Sequence, residues 1–209
     1  MPDLDFRVTG VEPAARGIVP LLHFQLEIEN KPETESIHTV IIQAQIQIEA
    51  PQRRYAEDEK ERLKELFGPP DQWGRTLRNR LWAHAQASAP PFTGKTKISL
   101  PVQCTYDMNL ASTKYFHALE EGDIPLLFLF SGTVFYEAED GRLQVQPISW
   151  DKECSYRMPF TTWRGMMDQH YPNSVWLFLQ KDLFERLYAY KRDHGFATWE
   201  QTISRLLNS

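Results

Sequence analysis

Leu22-His23-Phe24-Gln25-Leu26-Glu27-Ile28 and, beyond Pro32, Val40-Ile41-Ile42-Gln43-Ala44-Gln45-Ile46-Gln47-Ile48 are the stretches that decide the fold. In the first, apolar residues take every second position. In the second, Val40, Ile42, Ala44, Ile46 and Ile48 alternate with Ile41, Gln43, Gln45 and Gln47. A period of two sends successive side chains to opposite faces, so each run reads as a strand with one face buried. The link between them is too short for a crossover helix, which predicts that the two strands pair antiparallel. Upstream, Phe6, Val8 and Val11 outline a shorter opening strand, broken or bulged near Gly10.

Downstream of Pro51 the period changes. Residues 57–67 place acids first, basic residues later and apolar residues at helical spacing, and Gly68-Pro69-Pro70 ends the run, so a surface helix is expected. A second helix is predicted from about Asp71, with Trp73, Leu77, Leu81, Trp82 and Ala85 in one stripe and Pro90-Pro91 as the stop. The helical insertion thus covers about 57–88. Strand spacing resumes at Ile98, Leu100, Val102, Cys104 and Tyr106, with Pro101 favouring an edge position. Residues 109–121 fit either a short helix or an irregular strand. Leu126 to Tyr136, a turn over Glu137-Ala138-Glu139-Asp140-Gly141, and Leu143, Val145 and Ile148 read as a hairpin.

From Pro159 the pattern is helical. Trp163, Met166, Met167 and His170 mark one helix; Leu183, Phe184, Leu187 and Tyr188 mark another that ends before Gly195. Thr198-Trp199-Glu200-Gln201 has the form of a capping box, and Ile203, Leu206 and Leu207 supply the last apolar face. The expected architecture is α+β: an antiparallel β-sandwich of about seven strands over 1–158, with the helical insertion, and a helical tail, 159–209, packed on it.

The chain has 209 residues, 42% hydrophobic and 24% charged, enough to bury its own core. Its net charge of -5 gives no overall positive field for phosphates, so nucleic acid is not an expected partner. The opening Met1-Pro2-Asp3-Leu4-Asp5-Phe6 lacks a basic start and an apolar segment, and the most apolar stretch, Ile124 to Phe130, falls far short of the roughly 20 residues of a spanning helix. A cytoplasmic protein without membrane insertion is expected, with Cys104 and Cys154 as reduced thiols.

Chemistry is harder to find. Cys104, His117, Cys154 and His170 are competent zinc ligands, but no two lie at the tight spacing of a structural site. Cys104 or Ser131 with His117 or His170 and Asp107 would supply nucleophile, base and orienter, yet Ser131 lacks the G-x-S-x-G elbow and precedes a hairpin. The acidic clusters read as solvated turns and helix starts, and no phosphate-cradling glycine pattern occurs, so no cofactor is expected. What remains is recognition. Trp73, Arg78, Trp150, Arg157 and Trp163 combine the residue types that dominate protein interfaces. Residues 1–150 hold 15 basic against 21 acidic side chains, whereas 151–209 hold 8 against 7, so the tail is less acidic than the body.

Arg54-Tyr55, Leu66-Phe67-Gly68, Leu100-Pro101-Val102, Cys104-Thr105-Tyr106-Asp107, Pro125-Leu126 through Phe130-Ser131-Gly132-Thr133-Val134-Phe135, Tyr156-Arg157-Met158-Pro159, Tyr171-Pro172 and Trp176-Leu177 carry a resemblance over nearly the whole chain. Together they resemble a bacterial family of unknown function whose members are encoded near nickel–iron hydrogenase genes. The resemblance implies an accessory or assembly role in a hydrogenase system and brings no catalytic residue with it. A non-enzymatic protein-binding or assembly factor is therefore the leading expectation. A small thiol- or serine-dependent hydrolase, or a sandwich binding a small ligand or metal between sheet and helices, is the alternative.

Overall fold

Alternation builds two sheets. The computed structural model describes all residues except Arg16, 106–109, Glu139, Asp140, Trp176, Phe178 and Ser209, and the side chain of Leu110. The first sheet has the order β1 (Asp3–Pro13), β2 (Leu21–Lys31), β6 (Lys95–Gln103). The second runs β4 (Arg80–Ala89), β3 (Ser36–Ile48), β7 (Asp123–Glu137), with β8 (Leu143–Pro147) and β9 (Glu153–Pro159) following one another along the far edge of β7. A two-residue strand, β5 (Phe92–Thr93), pairs the start of β3. All pairings are antiparallel. The fold is thus an α+β antiparallel sandwich with a helical insertion and C-terminal helices.

The two alternating runs do not pair with each other. Leu22–Ile28 lies in β2, between β1 and β6, whereas Val40–Ile48 lies in β3 of the opposite sheet. Period two fixes which face a strand buries and leaves open whether its neighbour lies beside it or across the core. Asn30, fully buried, holds the corner where the chain changes sheets: its Nδ2 donates to the Pro32 carbonyl (3.1 Å) and its Oδ1 accepts from Asp3 N (3.2 Å). The core forms between the sheets. Phe6 stacks on Phe130 at 4.4 Å, and Phe24 meets Phe128 edge-on at 5.2 Å. The expected break at Gly10 is a register shift between Val8 and Gly10, and Pro101 does lie on an edge strand.

The insertion is helical only in its first part. α1 (Glu57–Phe67) ends at Gly68, whose φ of 73° suits glycine, and α2 (Trp73–Thr76) is a single turn. The helix expected to continue through Ala85 is replaced by β4. Ala83-His84-Ala85-Gln86-Ala87-Ser88-Ala89 alternates with period two, and pairing with β3 outweighs the helical propensity of alanine. The pairing slips between Ile46 and Gln47, so Trp82 is an extra residue on β4 and turns into the core beside Ala83. Residues 110–118 settle as α3 (Leu110–Ala118). Of the hairpin turn, Gly141 has φ 77°, and Asp140 lies outside the described residues.

Gly132 on β7 has a different task. Register is continuous past it, so Ser131-Gly132 shapes no bulge there. A Cβ at Gly132 would stand 2.0 Å from the Ile41 carbonyl oxygen, so glycine is what lets β3 and β7 approach.

α4 (Phe160–His170) buries Phe160, Trp163, Met166 and Met167, and for that reason belongs with the sandwich rather than with the tail. The first compact unit accordingly runs Met1–Asn173, past the expected boundary at 158, and the second is Ser174–Ser209. The second unit holds α5 (Lys181–Asp193) and α6 (Trp199–Leu207). Its capping box is formed: Gln201 N donates to Thr198 Oγ1 (3.2 Å), and Gln201 Oε1 accepts from Thr198 N (3.4 Å).

Candidate interaction surface

The five residues singled out for recognition are not brought to one place. Trp163 is 4% exposed, against Phe116 at 4.8 Å. Trp73 is half-buried; its Nε1 donates to the Gly68 carbonyl (2.9 Å) and its ring stands edge-on to Tyr55 and Phe67, which fastens the end of α1. Both tryptophans complete the core. Arg78 is exposed in the link between α2 and β4. Arg157, exposed on β9, lines a 560 Å³ cleft with Arg53, Arg54, Tyr55 and Asp123. Only Trp150 combines an aromatic anchor with full access to solvent: it is 94% exposed in the turn between β8 and β9, where Lys152 N donates to the Ser149 carbonyl (3.3 Å).

An apolar surface that the sequence reading did not assemble lies on the strand that precedes the Trp150 turn. On β7 the inward residues are Val134 and Tyr136, so Thr133, Phe135 and Glu137 take the outer face. Register then sets Thr39, Phe135 and Val145 in one row and Ile41, Thr133 and Pro147 in the next. Ile41 is 49% exposed, Val145 57% and Leu143 58%. These side chains share one face because residues opposite each other in a ladder point the same way. Trp150 follows Pro147 by three residues and so stands within about 11 Å of it along the chain. Leu143 and Val145 belong to the expected hairpin; alternation puts them on one face of the strand but does not show that β8 is an outer strand with its apolar side facing out.

The nucleophile candidates are placed unfavourably. Cys104 is buried, its Sγ donates to the Val102 carbonyl (3.4 Å), and burial pushes its thiol up to about 12, so the thiolate is scarce at neutral pH. It borders a 210 Å³ cavity between β4, β6, α3 and α4 whose histidine is His84, not His117 or His170. His117 stands edge-on to Trp163 at 5.5 Å, and His170 Nδ1 bonds the Met166 carbonyl at 2.9 Å. Ser131 lies opposite Gln43 on the exposed side of β7, and Asp107 falls outside the described residues. Both cysteines are free, and among the described residues no group of three or more His, Cys, Asp or Glu is arranged to hold a metal ion. No helix among them is long and apolar enough to cross a membrane.

The fold and this surface define a sandwich protein with an exposed apolar face. The chain belongs to a family of unknown function (DUF6084), which it matches over residues 1–209. No curated protein matches it. Among solved structures it is similar to a protein assigned as ApaA from Bordetella pertussis, at 12% identity over 76% of this chain and 95% of that one, with a TM-score of 0.30. It is similar also to a protein assigned to the late embryogenesis abundant class, at 14% identity over 76% and 73%, with a TM-score of 0.34. A third likeness is β-glucosidase 3B from Thermotoga neapolitana, at 12% identity over 75% of this chain and 17% of that one, with a TM-score of 0.26. Likenesses this weak carry no argument about activity.

Proposed function

We propose that this protein is a non-enzymatic binding or assembly factor whose contact surface is the outer face of β7 and β8 together with Trp150. The observation that carries the reading is the exposed apolar row of β8, Leu143 and Val145 at 58% and 57%, with Trp150, 94% exposed, in the turn that follows the strand. Large apolar side chains gathered on one exposed face mark a protein contact, and tryptophan is the residue type that most often anchors one. The partner presents a complementary apolar patch, and the sandwich supplies the rigid frame. Service in a nickel–iron hydrogenase system is part of the proposal and rests on the family resemblance alone.

The test is capture from the native host at stringent salt with the wild-type chain and with Trp150→Ser. A discrete protein retained by the first and lost by the second supports the reading. No partner, or equal recovery with both, overturns it. A hydrogenase component as the captured protein extends the reading to assembly; any other protein removes the hydrogenase part and leaves the binding.

The 210 Å³ cavity favours a second reading, a small uncharged ligand held against Trp82, Phe116 and Trp163 with Gln103 and Thr105 at the edge. Indole and phenol are suitable probes. A rise in Tm with probe concentration supports this reading, and no shift for either probe counts against it.

A further inference from the structure

β8 presents a second, separate feature: an open backbone edge. Ile148 N donates to the Gly132 carbonyl and Ala138 N to the Arg142 carbonyl, so the hydrogen-bonded pairs with β7 are the even-numbered residues of this strand. Leu143, Val145 and Pro147 sit in the alternate pairs, and their backbone groups point away from β7. Among the described residues no other strand pairs with β8. The other outer strands are flanked rather than paired, with β4 lying beside β6 and β1 beside β9 and no strand pairing between them among the described residues. From inside, the Gln146 Nε2 donor to the Pro2 carbonyl (2.6 Å) holds β8 in place.

We infer that a second copy of this chain pairs with that edge, β8 against β8 antiparallel, about a two-fold axis through Val145. Leu143-Gln144-Val145-Gln146-Pro147 carries no charge, so self-pairing sets no like charges opposite each other. The free donors match as well. Val145 N–H meets the Val145 carbonyl of the other copy in both directions, and each Leu143 N–H meets the other copy's Pro147 carbonyl. Pro147 has no N–H to leave unpaired. All four outward N–H groups of the two strands are thereby satisfied, which answers the liability of an exposed edge. A shift by two residues also pairs the donors but shortens the overlap from five strand residues in each copy to three. In the favoured register Val145 faces Val145 and Leu143 faces Pro147, so the apolar outer face continues across the axis.

A second copy is an isologous partner, which needs no separate complementary surface. The pairing uses the backbone edge of β8, whereas the proposed function uses its side-chain face, and the two stand or fall apart. Five residues from each copy make a short contact, so the dimer belongs to the weak, exchanging class and is populated only as concentration rises.

The test is sedimentation velocity of the full chain over a concentration series, with three variants. The wild-type chain is expected to move from its 24.5 kDa mass toward twice that value. Val145→Pro removes an outward N–H that β7 does not use and is expected to stay monomeric, with at least a tenfold weaker association. Val145→Lys and Val145→Glu keep the backbone donor and place like charges at the axis; each alone is expected to be monomeric and their equimolar mixture to dimerise. A wild-type monomer at every concentration overturns the inference. So does a dimer that Val145→Pro and Val145→Lys both leave intact. Trp150→Ser separates the two claims: it is expected to leave the dimer unchanged and to abolish partner capture.

Discussion

Arg53 Nη2 and Glu59 Oε1 lie 2.7 Å apart, with their side chains 7% and 3% exposed. The pair is also supported by backbone. Arg53 donates to the carbonyls of Asp123 (2.7 Å) and Glu121 (2.6 Å), and Glu59 accepts from Glu120 N (3.0 Å) and Ala56 N (3.1 Å). It thereby ties the start of α1 to the segment that leads into β7. Glu59→Ala leaves the guanidinium buried without its counter-charge and is expected to cost about 3–5 kcal/mol in urea unfolding. The double change Arg53→Met, Glu59→Leu is expected to cost less than Glu59→Ala alone. Equal losses would show that water reaches the pair.

Gly132→Ala is the sharpest stability prediction. The new Cβ meets the Ile41 carbonyl oxygen, which belongs to a paired strand and has little room to yield, and the backbone φ of 141° disfavours any side chain. Strain and overpacking together are expected to cost about 2–6 kcal/mol, read as a fall in the urea midpoint. A loss below 1 kcal/mol would contradict the close approach of β3 and β7.

The tryptophans should separate stability from binding. Trp163→Ala empties a core site and is expected to cost about 3–5 kcal/mol. Trp150→Ser touches no core contact and is expected to stay within about 0.5 kcal/mol of the wild-type chain. Comparing their unfolding curves tests the placement of both rings, and a destabilised Trp150→Ser would refute the exposed turn.

Acid should weaken the fold partly through His117. His117 is exposed on α3, and the partial loss of solvent from its imidazole holds the pKa below the ordinary 6.5. As pH falls through 6.5 the unfolded chain takes up a proton first, so stability is full above that value and declines below it until the folded pKa is reached. His117→Gln is expected to lose less Tm than the wild-type chain between pH 7.5 and 5.5. An equal loss in both would assign the acid sensitivity to other groups.

Much of the fold was legible because burial leaves a period. The strands around Leu22, Ile42, Leu100 and Phe128, the helix at 57–67 and the Thr198 cap all follow from spacing and local chemistry. Neighbour choice was not legible. β2 and β3 are adjacent in sequence and lie in opposite sheets, because alternation satisfies a core equally well beside or across. β4 was misread since the helical stripe Trp73-Leu77-Leu81 overlapped the start of an alanine alternation that only β3 could select. The site was half legible. Residue type named Trp150 and Trp163 alike, and only the third dimension put one in a turn and the other under α3. The apolar face escaped because its members, Ile41, Phe135, Leu143 and Val145, come from three strands.

The pairing of β3 with β7 also sets a timetable for biosynthesis. Ile48 finds its partner Leu126 only 78 residues later in the chain. At ribosomal speeds of about 5–20 residues per second, that interval is roughly 4–16 s. Throughout it the newborn isoleucine-rich strand has no permanent neighbour on that side, so a nascent chain halted before β7 is sticky cargo for chaperones and a ready target for quality control.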